Sequence, residues 1–133
     1  MATNTSNSVL RARSKQETLT TTQDINTNQA GTEFNIATDA LVMTLPAITA
    51  NNIGMELTFR NTGADGNNII TLSPASSDAF NGTIAAVQAG GVVDKDLINT
   101  KATANKGDWC TIKAIALTAW YITGGDGVWA SES

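Results

Sequence analysis

Trp109-Cys110-Thr111-Ile112-Lys113-Ala114-Ile115, followed after the short link Leu117-Thr118-Ala119 by Trp120-Tyr121-Ile122-Thr123, is the stretch that decides the fold. Its side chains follow a period of two and are rich in β-branched and aromatic types, the pattern of a strand. Two such runs joined by so short a link predict an antiparallel hairpin. Trp120 and Tyr121 are adjacent, so in a strand they point to opposite faces: one enters the core, and the other meets solvent or another chain.

The same patterning extends back along the chain. Strands are expected at Glu17 to Thr22, Glu33 to Thr38, Leu41 to Leu45, Gly54 to Arg60 and Asn68 to Ser73, with weaker segments at Gly82 to Ile84, Val92 to Ile98 and Val128 to Ala130. The turn-forming run Thr62-Gly63-Ala64-Asp65-Gly66-Asn67 predicts that Met55 to Phe59 and Ile69 to Leu72 pair as a hairpin. Ile84 to Gly91 reads either as a helical turn ending at Gly90 or as a loop. Many short strands punctuated by turns define an all-β domain, expected as an antiparallel β-sandwich or jelly-roll-like body.

Composition divides the chain of 133 residues. Residues 1–30 hold only Val9, Leu10, Leu19 and Ile25 from the Leu/Ile/Val/Phe set, whereas residues 31–133 hold 24, so an extended N-terminal arm (1–30) is expected to precede the sandwich (31–133). The polar stretch Thr18 to Gln29 fits an extended segment whose backbone bonds a partner chain completes. Charge is also uneven: Arg11, Arg13 and Lys15 are the only charged side chains before Glu17, while residues 16–133 carry five bases and twelve acids. A basic arm on an acidic body suggests docking.

Several functions are excluded by what is missing. The chain has no histidine, so it cannot build a Ser-His-Asp or Cys-His arrangement, and it lacks the commonest general base. Cys110 is its single cysteine and reads as a buried thiol, not a disulfide or a metal ligand. The net charge of −4 argues against a phosphate-neutralising nucleic-acid binder. The longest apolar run, Ala114 to Ile122, is about half a membrane span, and Met1-Ala2-Thr3-Asn4-Thr5-Ser6 lacks the apolar stretch of a secretion leader. Asp65-Gly66-Asn67 lacks the closing ligands of a calcium loop, and Gly124-Gly125-Asp126-Gly127 does not fit a dinucleotide fingerprint; both read as turns. Asp94 and Asp96 read as a solvated loop rather than a catalytic carboxylate pair. The expectation is a protein with no enzymatic activity and no cofactor, metal, nucleic-acid or membrane partner.

The aromatics point instead to contacts. Trp109, Trp120, Trp129 and Tyr121 all fall in the last 25 residues, on a chain with only 15% charged side chains. Trp120, Tyr121 and Trp129 are therefore candidates for oligomer or partner contact, or for stacking on a sugar.

Leu45-Pro46-Ala47, Gly54-Met55-Glu56-Leu57-Thr58-Phe59-Arg60-Asn61, Asn68-Ile69-Ile70-Thr71-Leu72-Ser73-Pro74, Phe80-Asn81-Gly82, Gly107-Asp108-Trp109-Cys110 and Trp120-Tyr121-Ile122, in this order, resemble a small β-domain of tailed-bacteriophage virions. That family includes head decoration (cement) proteins and tail-fibre segments, commonly homotrimers. The resemblance covers roughly residues 32–130, and the basic arm lies outside it. It implies a β-sandwich without catalysis, with Gly82 closing a tight turn and Trp109 entering the core. The function expected from it is capsid decoration: a homotrimer on the outer surface of the virion head, made in the host cytoplasm, with Arg11, Arg13 and Lys15 gripping the major capsid protein. The alternative is a tail-fibre, receptor-binding or carbohydrate-binding module.

Overall fold

The computed structural model describes residues 15–84 and 87–132. They form an all-β sandwich of two sheets. The first half of the chain steps from one sheet to the other at every strand: β1 (Lys15–Leu19), β3 (Thr32–Ile36) and β5 (Glu56–Asn61) lie in the larger sheet, and β2 (Gln23–Asp24), β4 (Leu41–Thr44) and β6 (Ile70–Ser73) in the smaller. Within each sheet these strands run parallel. Parallel neighbours need a long crossover, and here each crossover is a strand of the opposite sheet.

The second half adds mainly antiparallel ladders. β7 (Ala79–Ile84), β8 (Val87–Val93), β10 (Trp109–Ala116) and β11 (Ala119–Asp126) complete the seven-stranded order β1-β3-β5-β10-β11-β7-β8. β9 (Leu97–Asn99) and β12 (Trp129–Ser131) complete the five-stranded order β12-β9-β6-β4-β2. The sheets are thus mixed where antiparallel pairing was expected. β10 and β11 form the expected hairpin, with Lys113 opposite Tyr121 and Ala114 opposite Trp120.

The other expected hairpin does not form. β5 pairs with β3 and β10, β6 pairs with β4 and β9, and residues 62–69 cross from one sheet to the other. Both strands carry an apolar face, Leu57 and Phe59 on one and Ile70 and Leu72 on the other, and these four side chains meet the core from its two sides, all fully buried. Residues 84 and 87–91, read as a helical turn or a loop, belong to the antiparallel pair β7–β8. Gly82 lies within that pair at φ +116°, not in a tight turn; a Cβ there would stand 3.1 Å from Ile122, so the close approach of β11 requires glycine.

The boundary between arm and body also moves. Residues 15–30 are part of the sandwich: β1 pairs with β3, β2 pairs with β4, Ile25 N–H donates to the Thr44 carbonyl at 2.8 Å, and Leu19 and Ile25 are buried. Their backbone bonds, assigned to a partner chain from the polarity of the stretch, are made on one side to this chain's own β3 and β4. A single 3-10 turn at Thr27–Gln29 joins the two sheets, and Gln29 fixes it by accepting from Asn26 N–H (2.7 Å) and donating to Glu17 (3.0 Å).

The core lies between the sheets. Phe34 and Phe59 stack with centroids 5.1 Å apart, and Ile36, Met43, Leu57, Ile70, Leu72, Ile112, Trp120 and Trp129 are fully buried around them. Cys110 is buried among them, and burial pushes its thiol up to about 12, which leaves it a hydrophobe rather than a nucleophile.

Candidate partner-contact surface

Each sheet has one face in the core, so the outward positions decide what the molecule presents. On the larger sheet these come from alternate residues of β3, β5, β10 and β11. One row is tied together electrostatically. Glu33 accepts from Gln16 Nε2 at 2.6 Å and from Arg60 Nε at 3.0 Å, and the Arg60 guanidinium lies 5.8 Å from the centroid of Trp109. The Cη2 and Cζ3 atoms of the indole lie against Gly124, where a Cβ would approach the ring to 3.2 Å. Trp109 is therefore half-buried on the outer face, not in the core as the resemblance implies. The alternation seats Cys110, Ile112 and Ala114 inward instead.

The hydrogen bond from Gln16, followed by that from Arg60 and its charge, holds the Glu33 carboxyl below the ordinary carboxylate range. A depressed folded value means stability that is present above the unfolded value and lost as pH falls through the folded one. Glu33→Gln is expected to cost about 0.5–1 kcal/mol at pH 7, given the partial exposure of the pair. The gap between the thermal midpoints of the variant and the wild-type protein is expected to close as pH falls from about 5 to 3. Parallel melting curves across that range are the check.

The three aromatic candidates separate. Trp120 and Trp129 are fully buried, so neither is available for contact. Trp129 lies on an edge strand but turns its ring inward, with Nε1 donating to the Asp126 carbonyl at 3.1 Å. Tyr121 faces out, 37% exposed, in register between Lys113 and Asn81. Of the basic candidates, Arg11 and Arg13 lie outside the described residues. Lys15 is the first residue of β1, the edge strand of the larger sheet among the described residues, where its Nζ donates to the Asn28 carbonyl at 3.3 Å.

What the sequence reading missed is the end of the sheet to which Lys15 belongs. β1, β3 and β5 all start there, β10 finishes there, and the β10–β11 turn projects from it. Gly54 N–H donates to the Ala114 carbonyl at 2.7 Å, which sets Ile53 beside Ile115. Ala79 N–H donates to the Thr118 carbonyl at 2.9 Å, and Ala79 pairs with Val93, which sets β8 beside the turn. Ile53, Ile115, Leu117 and Val93 are all exposed. Between Ile53 and the 3-10 turn opens a cleft of about 410 Å³ lined by Thr27, Asn28, Asn51, Asn52 and Met55. Alternation from Cys110, Ile112 and Ala114 already directs Ile115 outward, whereas Ile53 and Val93 join it only through the topology.

The opposite end is closed by buried amides. Asn61 Nδ2 donates to Asn99 Oδ1 at 2.8 Å, and Asn99 Nδ2 donates to Asp108 Oδ2 at 3.2 Å and to the Val128 carbonyl at 3.1 Å. Asp108 also accepts from Asn105 N–H at 2.9 Å. This network pins three loops and uses its groups internally. Asp94 and Asp96 sit in the β8–β9 turn, with Asp96 N–H donating to the Glu132 carboxylate at 3.0 Å. Among the described residues no three histidine, cysteine or carboxylate side chains gather as a metal-binding group. No protein-family model matches the chain, and no curated protein matches it.

Proposed function

We propose that the protein is a tailed-bacteriophage head decoration (cement) protein, a homotrimer that binds the outer surface of the assembled capsid and stabilises it. The supporting observation is that the basic stretch containing Arg11, Arg13 and Lys15 leads into β1, the edge strand of the larger sheet among the described residues, at the end that also presents exposed apolar side chains. One end of the sheet therefore offers a basic attachment for the shell and, strands away from it, apolar surface for a further contact. Binding only the assembled shell stabilises it by linkage, about 2.7 kcal/mol per site when free protein is at 100 times its dissociation constant. Three copies held together add avidity without new contacts. Substituting Arg11, Arg13 and Lys15 together by Glu is expected to abolish co-sedimentation with the assembled shells while leaving the melting curve of the free protein unchanged. Undiminished co-sedimentation removes the basic stretch from the mechanism.

The second reading is a tail-fibre, receptor-binding or carbohydrate-binding module, and exposed Tyr121 is what favours it. Burial of Trp120 and Trp129 withdraws two of the three rings on which that reading drew.

A further inference from the structure

We propose that the apolar end of the larger sheet is the seat of a second copy of this chain, an inference that rests on the homo-oligomeric reading above and gives it an address. The side chains are Ile53 (44% exposed), Val93 (53%), Ile115 (52%), Leu117 (60%) and Tyr121 (37%). They lie just before β5, on β10, in the β10–β11 turn, on β11 and at the end of β8, and with strands about 4.8 Å apart they reach about 20 Å across this end of the sheet. Together they expose on the order of 500 Å², towards the upper end of what a monomer ordinarily leaves in one patch. With the polar residues that border it, the strip approaches the ~800 Å² per partner that a stable interface needs. The other sheet has no equivalent. Its outward row of Val42, Thr71, Ile98 and Ala130 is half-buried, and Val128, beside β12, is its single large exposed apolar side chain among the described residues.

Charge favours a second copy as the occupant. The body is acidic, yet the charge at this end is mixed: Lys113 stands opposite Glu56 on one side, and Asp94 is followed by Lys95 on the other. Lys113, Glu56 and Asp94 make no ion pair among the described residues. Copies that meet here bring charges of both signs together on each side, so no cluster of like charge has to be desolvated. Lys15, two strands beyond β5, stays outside the contact and is left for another partner.

The test is native mass spectrometry of the full chain between 1 and 50 μM on the order of magnitude of ordinary interface affinities, for wild-type protein and for Leu117→Asp, alone and with Ile115→Asp. Leu117 lies in a turn and both side chains are more than half exposed, so the variants are expected to keep the wild-type melting curve; the single Leu117→Asp change serves if the strand substitution disturbs β10. An oligomer in the wild-type protein that becomes a monomer, or dissociates at least about tenfold more readily, in Leu117→Asp supports the contact. A wild-type monomer throughout, or an oligomer indifferent to both substitutions, overturns it. Shell binding is read separately. An oligomer lost in the variants, from a wild-type protein that does not bind shells, leaves this contact standing and removes the decoration role.

Discussion

A fragment beginning at Gly31 is expected to lose its cooperative melting transition, whereas one beginning at Lys15 keeps it. The first fragment is the sandwich as composition alone delimits it; the second is the sandwich as the strands delimit it. Starting at Gly31 removes β1 and β2, the edge strands that complete one side of both sheets. It removes Leu19 and Ile25, each 2% exposed, and their loss alone forfeits about 3–6 kcal/mol of apolar burial. It also uncovers the edges of β3 and β4 and the Phe34 and Met43 side chains behind them. Against a total stability of about 5–15 kcal/mol for a domain, this leaves little or nothing. Tryptophan fluorescence and circular dichroism followed with temperature are the check. A Gly31 fragment whose midpoint falls by less than about 10 °C would return residues 15–30 to the status of an arm.

The error in that boundary has a physical origin. Edge strands bury one face and show water the other along with an unpaired edge, so a segment with two core side chains among threonines, asparagines and glutamines is enough to make one. Low apolar content over residues 15–30 therefore marked strands at a rim, not a detached tail. The β10–β11 hairpin was legible because its strands are adjacent in sequence, joined by a short link, and Cys110, Ile112 and Ala114 keep a period of two. The adjacent pair Trp120 and Tyr121 divided between core and surface as a period of two requires. Partner choice beyond the hairpin was not legible. Period two says which side chains share a face, but β5 and β6 carry the same alternation whether they lie side by side or face each other across the core. The turn signals in residues 62–67 suit either arrangement. The apolar end was hidden for the same reason: Ile53, Val93 and Leu117 are far apart in sequence, and only a topology that brings the start of β5, the end of β8 and the β10–β11 turn to one place gathers them.

Trp129→Ala and Trp120→Ala are each expected to destabilise the protein by about 3–5 kcal/mol, because truncating a fully enclosed indole leaves a cavity that the surrounding sheets cannot collapse to fill. The corresponding fall in midpoint is more than about 10 °C. Neither substitution can therefore serve as a clean probe of partner binding, and that use belongs to Tyr121, Leu117 and Ile115 on the surface. The two tryptophans differ in their polar atom. Trp129 Nε1 donates to the Asp126 carbonyl at 3.1 Å, while Trp120 Nε1 is buried without an acceptor among the described residues. Phenylalanine removes the N–H in both cases. At position 129 it breaks a hydrogen bond, and at position 120 it removes a donor that gains nothing from the fold. Trp129→Phe is thus expected to cost about 1 kcal/mol more than Trp120→Phe in chemical denaturation. Equal costs would mean that Trp120 Nε1 has an acceptor in solution, such as an ordered water. A Trp120→Ala protein that keeps its stability and loses only its self-association or shell binding would restore Trp120 to the surface, and with it the contact role that its burial denies.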